Sequence, residues 1–312
     1  MMLKTLKTLY LILISSRPRQ WLKNLSVFAA VFFGGRLLNQ RDFLLVFSVF
    51  IIFIILSSSV YLFNDVVDAK ADKVHFSKKN RPVASGLLSK KVALLACAVL
   101  ASVGVMAAVL ISNLVLFSAI LFLATQFVYS LKLKKVLILD IMAIAFLFMI
   151  RVFVGSFVIT APLSSWLILT VLMLALFLAI GKRRSEGTLL SQQEATAHRL
   201  ILSHYPISLL DGLTFMMAGS SLLTYSLFTF NTDRSSVSTP LANFLPETLA
   251  SSRWLMLTIP LVIYGIFRYL YLIFDKKEGE SPEKVLFSDL PIFTTVALWV
   301  LTVFIFIYVF NI

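Results

Sequence analysis

Long unbroken runs of apolar side chains dominate the sequence and restrict the folds that are open to it. A helix needs about 20 apolar residues to cross the hydrocarbon core of a bilayer, which is roughly 30 Å thick. Only 14% of the residues are charged, against about 25% in a typical soluble domain. We therefore predict an all-α polytopic membrane protein with nine transmembrane helices. The predicted spans are residues 22–38, 43–63, 91–111, 114–130, 137–159, 163–181, 206–230, 252–274 and 290–310.

Basic residues are distributed unevenly between the two sets of loops that these spans define. Of the 28 lysines and arginines, 22 fall on the side of the N-terminus, and Arg151 and Arg268 fall within spans. The exceptions on the opposite side are Arg36, Arg41, Arg234 and Arg253. The positive-inside rule then predicts a multi-pass protein of the cell (inner) membrane, with the N-terminus in the cytoplasm and the C-terminus outside. This distribution also explains the net charge of +13 without a nucleic-acid partner.

The spans are connected by short loops, and no composition change marks a domain boundary. We expect a single transmembrane domain over residues 1–312. Residues 1–20 contain both basic and apolar side chains. They are predicted to form an amphipathic segment on the cytoplasmic surface of the membrane.

Three aspartates follow the second predicted span. The segment reads Asn64-Asp65-Val66-Val67-Asp68-Ala69-Lys70-Ala71-Asp72. In a helix, Asp65, Asp68 and Asp72 share one face, so their carboxylates repel one another. A divalent cation relieves that repulsion, and hard oxygen ligands suit Mg²⁺, which is commonly completed by substrate phosphates. The alternative is a solvated helix end with ordinary acidic residues.

Further polar segments lie on the same side as this motif. Their candidate substrate-binding residues are Lys23, Asn24, Lys78, Arg81, Tyr129, Lys132, Asp140, Lys182, Arg183 and Glu186. Basic side chains beside a metal cluster suit a phosphate or diphosphate ligand. Structural alternatives remain open: positive-inside charge for the loop lysines, cations at a helix C-terminus for Lys182 and Arg183, and a buried ion pair for Arg151 in span five.

The aspartate segment resembles the first aspartate-rich motif of the UbiA superfamily of intramembrane prenyltransferases. Other segments are similar to the branch of that superfamily that transfers phosphoribose to decaprenyl phosphate. These segments are Arg17–Asn24, Asn80–Gly86, Tyr129–Lys134, Gly181–Glu186 and Ser281–Glu283. The resemblance extends over almost the whole chain and implies a bundle with a cytoplasm-facing cavity.

The resemblance also implies an activity: Mg²⁺-dependent transfer of 5-phosphoribose from phosphoribosyl diphosphate to a polyprenyl phosphate, with release of diphosphate. It implies catalytic roles for Asp65, Asp68 and Asp72, which would hold the metal with help from Asn64. Candidates for the 5-phosphate of the donor are Lys23, Lys182 and Arg183. A homo-oligomer is compatible with this reading.

The loop between spans six and seven departs from the prenyl-diphosphate branch, which commonly carries a second acidic motif there. Here the segment Lys182–Glu186 has three bases and one acid, which favours a donor with an additional phosphate. The resemblance also implies a Tyr-x-x-x-Lys element, with the lysine four residues after the tyrosine. Here the lysines lie three and five residues after Tyr129, at Lys132 and Lys134. Two alternatives stay open: a prenyltransferase that acts on an aromatic acceptor, and a membrane transporter.

Overall fold

A computed structural model describes residues 2–74, 78–190, 205–232, 253–276 and 282–310 of the chain. Within these ranges every regular element is a helix, which confirms the all-α prediction. The helices are α1 (Met2–Ser15), α2 (Ala29–Phe33), α3 (Gln40–Val74), α4 (Lys90–Ile111), α5 (Asn113–Leu131), α6 (Leu139–Val158), α7 (Ser165–Leu190), α8 (Ile207–Asn231), α9 (Ile259–Phe274), α10 (Pro282–Ser288) and α11 (Leu290–Phe304). Of the residues named above, Arg234 and Ser281 lie outside the described ranges.

Eight helical segments in the described part of the chain are long and apolar enough to cross a membrane. They correspond to the second through ninth predicted spans. The first predicted span, residues 22–38, is wrong as a continuous α-helix. A 3-10 helix occupies Pro18–Phe28 and is followed only by the five-residue helix α2. The count of nine spans therefore stays a prediction.

The 3-10 helix starts where Pro18 makes a right-handed helical conformation unfavourable for the preceding residue. Arg17 takes a left-handed conformation with φ of 53°, which ends the path of α1 and turns the chain. With three residues per turn, side chains at i and i+3 are aligned. One row holds Trp21, Asn24 and Val27, and it packs on α3 and α6.

Helix α6 lies at the centre of the bundle. Within its most apolar stretch 61% of the residues are buried, against 17% for α4, whose surface is mostly free to meet lipid. The main apolar cluster joins Val27, Phe53, Phe122 and Val154, and it ties the 3-10 helix to α3, α5 and α6. Polar side chains on α6 are consequently surrounded by protein.

Helix α3 is much longer than a membrane crossing requires. Its 35 residues extend about 52 Å at 1.5 Å per residue, so roughly 20 Å projects beyond the hydrocarbon core. The aspartate motif lies in the last third of this helix, well away from Gln40 at its start. We call this end of the bundle the aspartate end.

Candidate active site

The aspartate motif is helical throughout, as predicted, and its polar side chains spread over one side of α3. At 3.6 residues per turn, Asp72 lies about 20° from Asp65 around the helix axis, Asp68 about 60° and Asn64 about 100°. This spread divides the motif into two neighbouring groups. Asp65 and Asp72 form one group, and Asn64 and Asp68 form the other.

The first group is neutralised by two arginines from outside α3. Arg17 donates a hydrogen bond to buried Asp65. Nη1 of Arg81 lies 2.6 Å from a carboxylate oxygen of Asp72 and 3.4 Å from one of Asp65. Burial lowers the pKa of Arg81 from its usual value, the nearby Arg17 lowers it further, and the two carboxylates oppose this. One cation thus bridges two carboxylates.

The second group is bound by a lysine that follows α5. Nζ of Lys134 contacts the carboxylate of Asp68 and lies 3.3 Å from Oδ1 of Asn64. Helix α5 ends at Leu131, and a 3-10 turn over Leu133–Lys135 then directs Lys134 inward, where it is only 8% exposed. Lys132 is exposed, so Lys134 is the lysine that the fold places against the motif.

The donor set of the motif is chemically suited to Mg²⁺, because it consists of carboxylate and amide oxygens. The position of Arg81 Nη1 between Asp65 and Asp72 shows that these two carboxylates can face one positive charge. In the described part of the chain, no three acidic, histidine or cysteine side chains converge as a ready metal site. Asp65 and Asp72 are thus the pair that could bind a shared cation if Arg81 moved away.

A second ionic cluster lies beside the first and joins α5, α6 and α7. Arg183 is 2% exposed and donates hydrogen bonds from all three guanidinium nitrogens. Nε lies 2.6 Å from Asp140, Nη1 lies 2.7 Å from Glu186, and Nη2 lies 3.1 Å from the Tyr129 hydroxyl. Four predicted residues meet here, and Arg183 is fully engaged by protein groups.

Tyr205 completes this cluster. Its hydroxyl donates a 2.8 Å hydrogen bond to Asp140 and accepts one of 2.6 Å from the backbone N–H of Ile138. Burial, together with the hydrogen bond to Asp140, raises the pKa of Tyr205 to about 12. The hydroxyl therefore stays protonated at neutral pH and stabilises the Asp140 carboxylate as a donor.

Lys182 precedes Arg183 and has a different environment. It is half-buried, and no hydrogen bond or ion pair engages it among the described residues. Lys23 and Glu283 lie within electrostatic range of Lys182. Nζ of Lys23 is 3.8 Å from Glu283 on α10, which also accepts a hydrogen bond from Gln20. Lys182 and Lys23 thus place two cations near a single buried carboxylate.

Asn24 lies deeper in the bundle than the aspartates and is fully buried. Its Oδ1 accepts hydrogen bonds from Ser57 of α3 at 3.2 Å and from Nε of Arg151 of α6 at 2.7 Å. Nη1 of Arg151 donates to the backbone oxygen of Leu147 at 2.8 Å. The alternative that Arg151 forms a buried ion pair with another described residue is wrong. Among the described residues, the hydrogen-bond partners of Arg151 are the side-chain amide of Asn24 and the backbone carbonyl of Leu147.

The structure brings nearly all the predicted residues to the aspartate end. Lys78 begins a short 3-10 turn, and its backbone oxygen accepts a 3.0 Å hydrogen bond from the backbone N–H of Arg81. The residues that sequence reasoning did not select are Arg17, Lys134, Arg151, Tyr205 and Glu283. Arg17, Lys134 and Glu283 belong to segments that carried the family resemblance, and Arg151 was considered only for a buried ion pair. Tyr205 carries no local signal, since an isolated tyrosine before an apolar run is typical of a membrane interface.

These features define a class: a helical, multi-pass membrane protein with a cluster of paired acids and bases at one end of its bundle. The sequence profile described as the UbiA prenyltransferase family matches residues 25–294, which is most of the chain. The chain belongs to this family, and the match confirms the resemblance drawn from its motifs.

Characterised relatives and solved structures agree with this membership. A decaprenyl-phosphate phosphoribosyltransferase from Mycolicibacterium smegmatis is 31% identical over 278 residues, which cover 88% of this chain and 85% of that protein. The protein of the same name from Corynebacterium glutamicum is 27% identical over 94% of this chain and 85% of its own length. A UbiA homolog from Archaeoglobus fulgidus, solved bound to GPP and Mg²⁺, has a TM-score of 0.69 at 18% identity and covers 95% of this chain and 99% of its own. This last likeness is one of fold.

Proposed function

We propose that the protein transfers 5-phosphoribose from phosphoribosyl diphosphate to a polyprenyl phosphate such as decaprenyl phosphate and releases diphosphate. The observation that carries the proposal is Lys182, a half-buried cation without an ion-pair partner among the described residues. Lys182 begins the segment Lys182–Glu186. In the prenyl-diphosphate branch this position commonly carries a second acidic motif, which suits a second metal ion. A cation there suits an additional phosphate on the donor, and a sugar 5-phosphate supplies one. The relatives that share most of the chain carry the matching name.

The aspartate motif would hold the diphosphate end of the donor. Asp65 and Asp72, with Asp68 and Asn64 beside them, would bind Mg²⁺, which neutralises charge on the departing diphosphate. Arg81 would leave the two carboxylates and contact phosphate oxygens instead, because a guanidinium suits either partner.

Basic side chains around the motif would stabilise the same leaving group. Arg17 and Lys134 already contact carboxylates of the motif. When the carboxylates turn to a metal, these cations become available to diphosphate oxygens. Such preorganised charges lower the barrier because they are in place where negative charge develops.

Lys182 and Lys23 are the proposed ligands of the 5-phosphate. Arg183 was a third candidate, but it is held by Asp140, Glu186 and Tyr129. We assign Arg183 a positioning role, in which it fixes the end of α7 and thereby the direction of Lys182.

The acceptor is a phosphate monoester that is anionic at neutral pH, so no general base is needed to activate it. One of its oxygens forms a bond to the anomeric carbon as the bond from that carbon to the diphosphate oxygen breaks. Positive charge develops on the sugar between the two anions. The polyprenyl tail would lie in the hydrocarbon core, which accounts for the placement of this chemistry in a membrane bundle.

The cationic loops favour the cytoplasmic side of the inner membrane for the aspartate end, with the N-terminus on that side and the C-terminus outside if the chain crosses nine times. Phosphoribosyl diphosphate would then reach the site from the cytoplasm through a cavity open to that side. We further propose that residues 1–312 act as one domain, and a homo-oligomer stays an expectation.

The test is mass spectrometry of lipid products formed in detergent by purified protein with Mg²⁺. One reaction contains phosphoribosyl diphosphate and decaprenyl phosphate, and a parallel reaction contains a prenyl diphosphate and an aromatic acid. We expect a phosphoribosylated lipid phosphate in the first reaction alone, and its loss on chelation with EDTA. A prenylated aromatic product, with no product in the first reaction, would favour the prenyltransferase alternative. Transport without any covalent product would favour the transporter.

The metal role is tested separately with Asp68→Asn, which removes a charge and keeps the shape. We expect turnover to fall at least 100-fold, as expected when a major electrostatic contribution to the transition state is removed. Asp42→Asn is the matched control, because Asp42 lies on the same helix at the opposite end and pairs with Arg36 at 3.0 Å. Full activity of Asp68→Asn would contradict the role of the motif.

A further inference from the structure

Arg151 is a buried charge in the membrane-spanning part of the bundle. Its side chain is 3% exposed on the central helix α6. It lies about 16 Å along that helix from Asp140 at 1.5 Å per residue. A charge in such a position is costly, usually pairs with an opposite charge or with backbone carbonyls, and commonly marks a functional site. Among the described residues no carboxylate lies within ion-pair distance of Arg151.

The guanidinium of Arg151 is only partly used by the protein. Nε donates to Asn24 and Nη1 donates to the backbone of Leu147. Nη2 has no hydrogen-bond acceptor among the described residues. The rings of Phe122 and Phe148 lie 4.7 Å and 5.6 Å from the guanidinium carbon and supply no full negative charge. Both N–H groups of Nη2 and most of the positive charge therefore remain uncompensated.

Asn24 provides a second unused donor beside the first. Arginine can only donate hydrogen bonds, so the oxygen of the Asn24 amide must face Arg151. This fixes the orientation of the amide. The Nδ2 group is then left fully buried with no hydrogen-bond partner. An unpaired buried donor is destabilising and is rare unless something else binds it.

Other basic and polar groups surround this pair. Lys23 and Tyr61 lie within electrostatic range of Arg151, and Arg17 lies within range of both. Lys23, which precedes Asn24 in the chain, retains 29% side-chain exposure and so connects the surface with this buried pair. Ser57, which also contacts Asn24, is two helical turns from Asp65, or about 12 Å along α3. The pair is thus separate from the metal-binding motif.

We propose that Arg151 and Asn24 form a binding site for a phosphate monoester, distinct from the diphosphate site at the aspartate motif. A phosphate would accept hydrogen bonds from Nη2 of Arg151 and Nδ2 of Asn24 and would neutralise the buried charge. Two substrates of the proposed reaction carry such a group: the lipid acceptor and the 5-position of the donor. The inference rests on the proposed function for the identity of these ligands, and the experiment separates them.

Asn24→Asp is the most informative variant. The carboxylate keeps the acceptor for Ser57 and Arg151, but it replaces the Nδ2 donor with an anion that pairs with the guanidinium. A purely structural role for Asn24 predicts a well-folded protein with unchanged substrate affinity. A phosphate site predicts an equally well-folded protein that repels its ligand. Arg151→Lys, which keeps the charge but loses the forked donors, is the second variant.

The control is Arg268→Lys, because Arg268 on α9 is paired with Asp289 at 2.8 Å and lies outside this cluster. For each protein, KM is measured for phosphoribosyl diphosphate and for a short-chain polyprenyl phosphate. Binding of ribose 5-phosphate and of geranyl phosphate is measured independently by thermal stabilisation in detergent. The binding assay requires no turnover, so it distinguishes failure of this site from failure of the proposed reaction.

We expect Asn24→Asp and Arg151→Lys to raise one of the two KM values by about 10- to 100-fold, as expected for loss of a charged hydrogen bond. An effect on the lipid phosphate, and on geranyl phosphate binding, assigns the site to the acceptor. An effect on the donor, and on ribose 5-phosphate binding, assigns it to the 5-phosphate. Unchanged KM and unchanged probe binding in both variants, or no binding of either probe by the unmodified protein, would overturn the inference.

Discussion

Gly155 of α6 is the point at which the 3-10 helix and α6 approach most closely, and Gly155→Ala should therefore displace the site from a distance. A Cβ atom built on Gly155 would lie 1.9 Å from the carbonyl oxygen of Val27. Contacts of real Cβ atoms essentially never fall below 3.0 Å. The two backbones must therefore separate by about 1 Å, because a carbonyl oxygen cannot rotate away as a side chain can.

That displacement reaches the polar cluster directly. Val27 and Asn24 are one 3-10 turn apart on the same row, and Asn24 is held to Arg151 by a 2.7 Å hydrogen bond. Moving the 3-10 helix by about 1 Å should misplace Lys23 and Asn24 and lower kcat/KM by roughly 100-fold, the usual effect of such a shift on positioned groups. Overpacking should also cost about 1–3 kcal/mol of stability.

The assay is product formation in detergent together with the thermal unfolding midpoint of each purified variant. Gly219→Ala is the matched control, because Gly219 is also in a helix interior and a Cβ there meets nothing within 4 Å. This control should be neutral or stabilised by about 0.5–1 kcal/mol, the helix preference of alanine over glycine. Equal activity and stability of Gly155→Ala and Gly219→Ala would refute the argument from the close approach.

Two further predictions concern the ionic clusters. Lys134→Met should reduce kcat/KM by about 10- to 100-fold. Lys132→Met should have little effect, because of these two lysines only Lys134 contacts Asp68. Equal losses of kcat/KM in steady-state assays of the two variants would contradict this placement of the lysines. Tyr205 has its pKa raised from 10.0 to about 12, so its contribution to stability is complete below pH 10 and is lost as the pH rises toward 12. Thermal unfolding midpoints measured from pH 8 to 11.5 should fall more steeply above pH 10 in the unmodified protein than in Tyr205→Phe, which lacks the hydroxyl bonded to Asp140. Parallel curves of midpoint against pH would contradict this role of Tyr205.

Most of the bundle could be predicted from the sequence, because the length of an apolar run is a local property with a physical threshold. Helices α3 to α9 and α11 follow from runs long enough for the bilayer, and the turn between α4 and α5 lies between the predicted spans 91–111 and 114–130. Ser112 caps α5 by accepting a hydrogen bond from the N–H of Val115. The helical aspartate motif was equally local, since its spacing alone placed the carboxylates on one side.

The first span failed for a reason that apolarity cannot reveal. Its sequence suits an α-helix of modest length, but Gln20 just before it and Lys23 and Asn24 within it have partners on other elements. Tertiary contacts with Glu283 and Arg151 are satisfied when side chains repeat every three residues, and that repeat requires the tighter helix. Local propensity is a weak prior beside contacts of this kind.

The ionic pairing was also beyond the reach of spacing. Arg17 and Lys134 come from opposite ends of the first half of the chain, and both meet the motif on α3. The choice of Lys134 over Lys132 depends on where α5 stops and on the turn that follows. Such choices are made by the packing of three separate elements, which a single segment does not encode.

The threefold repeat of the segment Pro18–Phe28 sets an unusual rule for changes in length. Inserting or deleting one residue rotates everything downstream by about 120°, so the position of Asn24 would exchange its buried row for that of Lys23 or for the outward row of Leu25. Adding three residues would keep every row in register and lengthen the segment by only about 6 Å. A length change of three residues should therefore disturb which side chains face α3 and α6 less than a change of one residue does.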